Sequence, residues 1–289
     1  MLRLFALIAV LPALLPAQPF PPHRVIGNVY YVGGADLASY LIVTPQGNIL
    51  INTGFEDSVP LIRASIKSLG FQFSDIKLLM VTHAHGDHVA GMATVKRLTG
   101  AKMAAVEQEV PLLESGGKTD YLFGGSAGFT PVKVDRIFKD GGKIELGGTA
   151  LTAHLTPGHT PGSVTYSLDI IENGRTYHVL IANLGTINPG TVLVKNTKYP
   201  RIAEDYASTF RILKELPCDI FLASHAAQYG LHRKFRPGMT YSPDTFIDPN
   251  GLRREAERLE AIYLTQLEQE RQEEKVIQER KHFKEATPP

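Results

Sequence analysis

The densest group of residues capable of chemistry is "HAHGDH", which places three histidines and one aspartate within six positions. In an extended or turning backbone, His83 and His85 can direct both imidazoles at one ion, while Asp87 and His88 can hold a second. A polar surface turn would explain a lone histidine. The complete His-x-His-x-Asp-His pattern behind an apolar strand favours a metal site instead.

Each of the two sites needs another donor, because a catalytic zinc ion has three protein ligands and one open position. His159 lies in the Gly/Pro turn "TPGHTPGS" and would join His83 and His85 at the first site. His225 follows the apolar strand "DIFLAS" and would complete the second site. His154 lies within an alternating strand, which predicts a structural residue or one that supports a ligand.

These donors are predicted to lie on loops that follow strands. The segments "RVIGNVYYVGG", "ASYLIVTPQGNILINTG" and "TALTAHLTPGHTPGSVTYSLDI" have the alternation and turn residues of β-structure. The segments "SVPLIRASIKSLGF" and "RIAEDYASTFRILKEL" have helical spacing. Two strand-rich halves, each followed by helices, favour an α+β fold, an αββα sandwich with two mixed β-sheets face to face and helices outside.

The first residues, "MLRLFALIAVLPALLPAQ", have the charge and hydropathy of a secretory signal peptide over residues 1–17. A membrane anchor is the alternative, but about a dozen apolar residues interrupted by prolines fall short of the roughly 20 that span a bilayer. We therefore expect a periplasmic or secreted protein with no stable membrane association after signal cleavage.

Charge and cysteine content restrict the partners. The chain carries 30 basic and 29 acidic side chains, and this net charge of +1 creates no field that would gather nucleic acid. The expected partner is a small molecule. Cys218 is the only cysteine, which excludes an intramolecular disulfide and a cysteine-rich zinc site, although its own role stays open.

The motifs "THAHGDH", "TPGHTPGS" and "ASH", in this order and spacing, resemble the metallo-β-lactamase superfamily. The likeness runs from about Val25 to Gln272. It implies an αββα catalytic domain, which we place at residues 18–273, with a zinc site at one edge of the sandwich. The segment from Pro249 to Lys281 is predicted to be a helix whose apolar stripe fades into charge past about Glu273. Residues 274–289 are therefore set apart as a polar tail, and the final dozen residues are expected to be frayed.

Asn183 in "IANLGT" distinguishes branches of the superfamily. Thioesterases and lactonases of this superfamily carry a metal-bridging aspartate at this place, and a neutral amide brings no charge to offset two dications. Subclass B3 metallo-β-lactamases lack that bridge, and the chain is similar to them. This resemblance implies two Zn²⁺ per chain, with one held by His83, His85 and His159 and the other by Asp87, His88 and His225.

The chain departs from the subclass B3 pattern in two places. Most members tie the last strand to the terminal helix with a disulfide, and Cys218 matches only one of those cysteines. Small hydroxyl residues usually meet the substrate carboxylate just after the strand that ends near Asn183. Here Leu184, Gly185 and Thr186 follow, so Thr186 is the candidate that keeps a substrate contact.

The sequence predicts a zinc hydrolase that opens the β-lactam ring of penicillins, cephalosporins or carbapenems through a dizinc-bound hydroxide. Asp87 would be catalytic as well as a ligand, because it would orient that hydroxide. Tyr121 and Phe123 are expected to cover the pocket, where Tyr121 would also contact substrate, or simply to pack in their loop. Asn52 is interpreted either as a group that steadies a ligand or as a turn residue.

Three alternatives stay open at this point. The first is a dizinc hydrolase of the same fold that acts on lactones, thioesters or phosphoesters. The second is a non-catalytic protein that binds zinc or a partner. The third is an iron protein of the same fold, because sites of histidine and carboxylate ligands accept several metals.

Overall fold

The computed structural model describes residues 17–286, with side chains described as far as Phe283. The predicted signal peptide, residues 1–17, lies outside the described residues except for Ala17. No helix in the described part of the chain is long and apolar enough to cross a membrane.

Seven strands form the first sheet, in the same spatial order as along the chain. They are β1 (His23–Ile26), β2 (Val29–Tyr31), β3 (Tyr40–Thr44), β4 (Gly47–Ile51), β5 (Ile76–Met80), β6 (Lys102–Val106) and β7 (Arg136–Phe138). The strands from β1 to β4 pair antiparallel, and β5, β6 and β7 are added in parallel. Because parallel strands end at the same edge, the carboxyl ends of β4 and β5 lie together.

Five strands form the second sheet, in the order β12-β11-β10-β9-β8. They are β8 (Lys143–Leu146), β9 (Thr149–Leu155), β10 (Val164–Glu172), β11 (Arg175–Ala182) and β12 (Ile220–Ala223). All neighbours pair antiparallel except β11 and β12, which are parallel. The predicted α+β sandwich of two mixed sheets is therefore confirmed.

Helices cover the outer face of each sheet. They are α1 (Ser58–Ser68), α2 (Gly86–Val89), α3 (Met92–Thr99), α4 (Val110–Ser115), α5 (Ile202–Glu215), α6 (Leu231–Lys234) and α7 (Gly251–Ala286). On the first sheet, Ile62 and Ile66 of α1 are fully buried against Leu50 and Leu79. Each such side chain contributes about 2 kcal/mol through burial of apolar surface.

The larger apolar cluster lies between the two sheets and continues beneath α5 and α7. Ile49 and Met80 of the first sheet share it with Tyr166 and Val179 of the second, and all four side chains are fully buried. Phe210 of α5 belongs to the same cluster. This layer sets the distance between the two sheets, and it therefore sets the relative positions of the loops at their common edge.

The last helix corrects one expectation. Its predicted apolar stripe is buried, with Leu259 and Tyr263 at 6% and 4% exposure. However, α7 continues through the segment predicted to be frayed and ends only at Ala286. Side-chain hydrogen bonds one turn apart, such as the bond from Gln278 to Glu274, accompany this extension. The division of the chain at residue 273 remains a prediction.

Candidate metal centre

The histidine loop begins where the buried strand β5 ends, as the sequence predicted. Thr82 precedes His83, and its backbone N–H donates to Oδ1 of Asn52 at 3.0 Å. Asn52 follows β4 in a left-handed conformation (φ 63°) and is fully buried. The contacts described for Asn52 therefore hold the backbone before His83 and do not reach a histidine ring.

His83, His85 and His159 converge on one point. One ring nitrogen from each lies within 4.8 Å of the others, which is close enough for all three to bind one ion. Nδ1 of His85 is 3.0 Å from Nε2 of His159, and the rings of His83 and His159 are 4.5 Å apart. The structure thus brings together all three side chains predicted for the first site.

His159 owes its place to the turn that precedes it. Gly158 has a φ of 124°, and a Cβ there would lie 2.7 Å from the ring of Tyr206, so only glycine fits without displacement. Nδ1 of His159 donates to the carbonyl of Thr186 at 2.6 Å. Because a carbonyl can only accept, Nδ1 carries the proton, and Nε2 keeps the lone pair that a metal needs.

A second group of possible ligand atoms lies on the other side of His83, and it contains two of the three residues predicted for the second site, Asp87 and His88. One ligand atom each from His83, Asp87 and His88 also lie within 4.8 Å of one another. Nε2 of His225 is 3.5 Å from Oδ2 of Asp87, and its ring centroid is 4.9 Å from that of His88. Asp36 lies 3.4 Å from the other ring nitrogen of His225. All six predicted donors therefore lie at one edge of the sandwich.

Hydroxyl groups join the two loops that follow β5 and β12. Oγ1 of Thr82 and Oγ of Ser224 are 2.8 Å apart, and these residues immediately precede His83 and His225. The carbonyl of Thr82 also accepts from the backbone N–H of Val164 at the start of β10. The edge is thus held across both sheets by contacts that do not involve the histidine rings.

Burial keeps most of the cluster histidines neutral. It lowers the pKa of His83 and of His88, and it lowers the pKa of His159 to about 3. Among the described residues, Nδ1 of His83 and both ring nitrogens of His88 have no hydrogen-bond partner. Nε2 of His88 is 3.1 Å from Asp87, but without the alignment of a hydrogen bond. Neutral imidazoles with unpaired nitrogens are a suitable donor set for Zn²⁺.

The acidic partners keep a negative charge beside these rings. Burial alone would raise the pKa of Asp87, but the neighbouring His88 and His225 lower it far below the usual range. Burial opposes the charge on His225, yet the hydrogen bonds to Asp36 and Asp87 outweigh it and raise the pKa of His225 to about 9. The site thus combines an ionised carboxylate with three imidazoles that are neutral. Such a donor set suits divalent cations.

Two acidic residues in the site were missed from the sequence. Oδ2 of Asp120 accepts from Nε2 of His85 at 3.1 Å, which leaves Nδ1 of His85 facing His159. Glu109 is buried and accepts from the backbone N–H of Ala84. Neither acid lies in a motif, and no spacing in the sequence distinguishes it from the other acidic residues.

A cleft opens over the cluster, and two aromatic rings form part of its wall. Phe55 and Phe123 line it together with Thr186 and Asn188, and the ring of Phe123 lies 5.2 Å from that of His85. The structure corrects the prediction that Tyr121 contacts substrate. That side chain is 9% exposed and packs behind the cleft, 5.2 Å from the ring of Tyr199.

The segment after β11 has a mixed outcome. Thr186 reaches the cleft, with Oγ1 3.3 Å from Nδ1 of His159, and its substrate contact stays a prediction. Leu184 is buried in the core, and Asn183 is buried with no described partner for its amide nitrogen. His154 lies apart from the cluster and bonds Ser167 at 2.7 Å, in agreement with a structural role.

Comparison with known proteins places this site in a family. The model of the metallo-β-lactamase superfamily matches residues 33–170. The native FEZ-1 metallo-β-lactamase from Legionella gormanii is 46% identical with a TM-score of 0.85, over 88% of this chain and 98% of that chain. The class B3 di-zinc metallo-β-lactamase LRA-12 from an Alaskan soil metagenome is 43% identical with a TM-score of 0.84, over 86% and 95% of the two chains.

Curated relatives are more distant. Hydroxyacylglutathione hydrolase of Rhodopseudomonas palustris (strain BisB5) is 26% identical over 209 residues, which are 72% of this chain and 69% of that protein. Two others match over only 34% and 32% of their own length. The identity of 43–46% over at least 95% of the two solved β-lactamases shows that the chain belongs to the metallo-β-lactamase superfamily. It is a hydrolase of that superfamily and is similar to its subclass B3 members.

Proposed function

We propose that this protein hydrolyses the β-lactam ring of penicillins, cephalosporins or carbapenems with two bound Zn²⁺ ions. The observation that carries the proposal is that five donors form two groups sharing His83, with His225 beside Asp87 of the second group. The likeness to β-lactamases over nearly their whole length supports the same substrate class.

The donors divide into two sites that share one edge. His83, His85 and His159 would hold the first zinc ion, and Asp87, His88 and His225 would hold the second. When bound, the two ions supply Lewis acidity, which polarises the scissile carbonyl and lowers the pKa of water towards 7.

The chain's own residues orient this chemistry. Asp120 and the carbonyl of Thr186 fix the rings of His85 and His159, so their free nitrogens point inward. The carboxylate of Asp87 would accept a hydrogen bond from the water at the metal site and orient it. Phe55 and Phe123, which line the cleft, would exclude bulk water, and the hydroxyl of Thr186 would bind the substrate carboxylate.

The partner and location follow from this proposal. The cleft fits a small-molecule substrate, and the amino-terminal signal pattern favours action in the periplasm or outside the cell, where β-lactams are encountered. A role in antibiotic resistance belongs to the same proposal. Fractionation of a full-length, tagged chain tests the location, and retention of uncleaved protein in the cytoplasm would contradict it.

The decisive experiment measures β-lactam hydrolysis by the purified mature chain. Absorbance decay of a carbapenem and a penicillin is followed with zinc and with a chelator. We expect activity that the chelator abolishes and that His85→Ala and Asp87→Ala both lack. Normal activity in either variant would remove the proposed site.

A second candidate is hydrolysis of thioesters, lactones or phosphoesters by the same zinc pair. The curated hydroxyacylglutathione hydrolase relatives favour it, whereas Asn183 argues against it. A substrate panel separates the two: a zinc enzyme that ignores every β-lactam and cleaves a thioester or lactone supports this candidate. Elemental analysis tests the two remaining alternatives. A non-catalytic scaffold should contain no zinc, and an iron protein should contain iron in its place.

A further inference from the structure

Glu109 is a buried acid that the proposed chemistry does not use. It follows β6 in the short turn before α4 and is 1% exposed. Among the described residues, no lysine or arginine forms an ion pair with it. A carboxylate in such a place is costly unless hydrogen bonds compensate for the lost water, so its contacts identify what it does.

The contacts of Glu109 reach both loops of the first metal site. Oε1 accepts from the backbone N–H of Ala84 at 2.5 Å, and Ala84 lies between His83 and His85. Oγ1 of Thr160 donates to Oε1 and Oε2 at 2.9 and 3.1 Å, and Thr160 directly follows His159.

Gly162 shows how closely the carboxylate of Glu109 fits against the loop that follows His159. A Cβ built on Gly162 would lie 2.4 Å from Oε2 of Glu109 and 2.5 Å from its backbone nitrogen. The backbone N–H of Gly162 also hydrogen-bonds this carboxylate. The absence of a side chain at residue 162 is therefore what allows Glu109 to reach the loop.

We propose that Glu109 is a positioning residue that fixes the spacing between the His83–His85 loop and the His159 loop, and thereby sets the metal affinity of the first site. This inference rests on zinc binding as part of the proposed function. The second site depends on it less, because its His225 follows β12 and is paired with Asp36, away from the two loops that Glu109 contacts.

The two-sided contact requires a carboxylate. Oε1 of Glu109 accepts from the backbone N–H of Ala84, and both Oε1 and Oε2 accept from the hydroxyl of Thr160. Glutamine has the same size but only one acceptor oxygen, so its NH₂ group would face an N–H of one loop. Glu109→Gln should therefore release one loop while leaving the fold in place.

The test is a zinc titration against a chelating dye, without any substrate. Glu109→Gln is expected to weaken one of the two zinc equivalents by about 10- to 100-fold, the range typical of groups that orient ligands. Gly162→Ala, which displaces the carboxylate sterically, is expected to weaken the same equivalent. The double variant should lose no more than the worse single variant, because both changes break one contact.

Glu114→Gln is the matched control. Glu114 is an acid on α4 that accepts the backbone N–H of Val134 at 3.0 Å and touches no ligand loop. We expect it to bind both zinc ions as the wild type does. If Glu109→Gln fails to fold by circular dichroism, Thr160→Val, which replaces the hydroxyl by a methyl group of similar size, should still weaken the same equivalent several-fold.

The outcomes separate this inference from the proposed function. A folded Glu109→Gln chain that binds both zinc ions like the wild type, or that loses both equally, overturns the positioning role. A wild type that binds two zinc ions but leaves β-lactams intact overturns only the proposed substrate. A wild type that binds no zinc overturns both.

Discussion

Two histidines in this protein are buried to a similar degree but have different neighbours. His83 and His23 are 3% and 6% exposed, and each has one ring nitrogen without a described partner. His83 lies 4.4 to 4.9 Å from three other imidazoles, whereas His23 is stacked on Phe235 at 3.7 Å. An unpaired nitrogen therefore indicates a metal site only where other donors face the same point.

The largest expected effect separates these two histidines by activity. His83→Phe should lower β-lactam hydrolysis by at least about 10³-fold, since loss of a metal ligand removes several kcal/mol of transition-state stabilisation. His23→Phe should change it less than about twofold. Steady-state rates with zinc in excess measure both. Similar losses in the two variants would show that burial, and not ligation, is what matters at His83.

Zinc removal should distinguish the same pair by stability. At a zinc concentration of about 1,000 times the dissociation constant, each bound zinc ion adds about 4 kcal/mol to the free energy of unfolding. Calorimetry with and without chelator should show this difference for the wild type and for His23→Phe. His83→Phe should lose the part of this difference that the first zinc ion contributes, and an undiminished difference there would place that ion at other residues.

The pH dependence of stability should identify His23. Burial lowers the pKa of His23 from 6.5 to about 4, so the unfolded chain binds a proton more readily than the folded chain. The contribution of His23 is fully present above pH 6.5 and falls by about 3 kcal/mol as pH drops to 4.

Denaturant unfolding of the zinc-free protein measures this effect. Between pH 6.5 and 4, His23→Phe should lose less stability than the wild type, by that amount. All other titrating groups are shared by the two chains, so parallel curves would mean that His23 is not buried as a neutral ring.

The smallest effects concern the aromatic rings beside each histidine. Phe123→Leu should raise KM by about 2- to 10-fold, the equivalent of 0.5–1.5 kcal/mol for one aromatic contact, and leave stability unchanged. Phe235→Leu should do the reverse, lowering stability by about 1 kcal/mol with KM unchanged. Kinetics and unfolding of both variants provide the comparison. An altered KM in Phe235→Leu would connect that aromatic cluster to the cleft.

The sequence predicts those site residues that lie close together along the chain or that directly follow a recognisable strand or turn. Three histidines and an aspartate share one loop, and His159 and His225 each follow a recognisable strand or turn, so the six donors could be named from the sequence. Asp120 and Glu109 could not, because their partners are 35 and 25 residues away and become neighbours only through the sheet topology.

The errors have equally physical causes. Tyr121 and Phe123 alternate in one loop, and the sequence does not say which ring faces the cleft and which the core. The fold was predictable because strand periodicity and helical spacing are strong along most of the chain. The end of α7 was not, because a highly charged segment can be either a coil or a helix supported by pairs one turn apart, as at Glu274 and Gln278.

The joined strand ends at Thr82 and Ser224 have a consequence for how the enzyme matures. These residues are 142 positions apart, so neither half of the chain carries a complete ion-binding centre during synthesis. Because His225 reaches Asp87 only when both strand ends are in place, we expect metal loading to follow folding. A cell short of zinc should therefore accumulate intact, inactive enzyme that recovers when the metal is supplied, with no need for new protein.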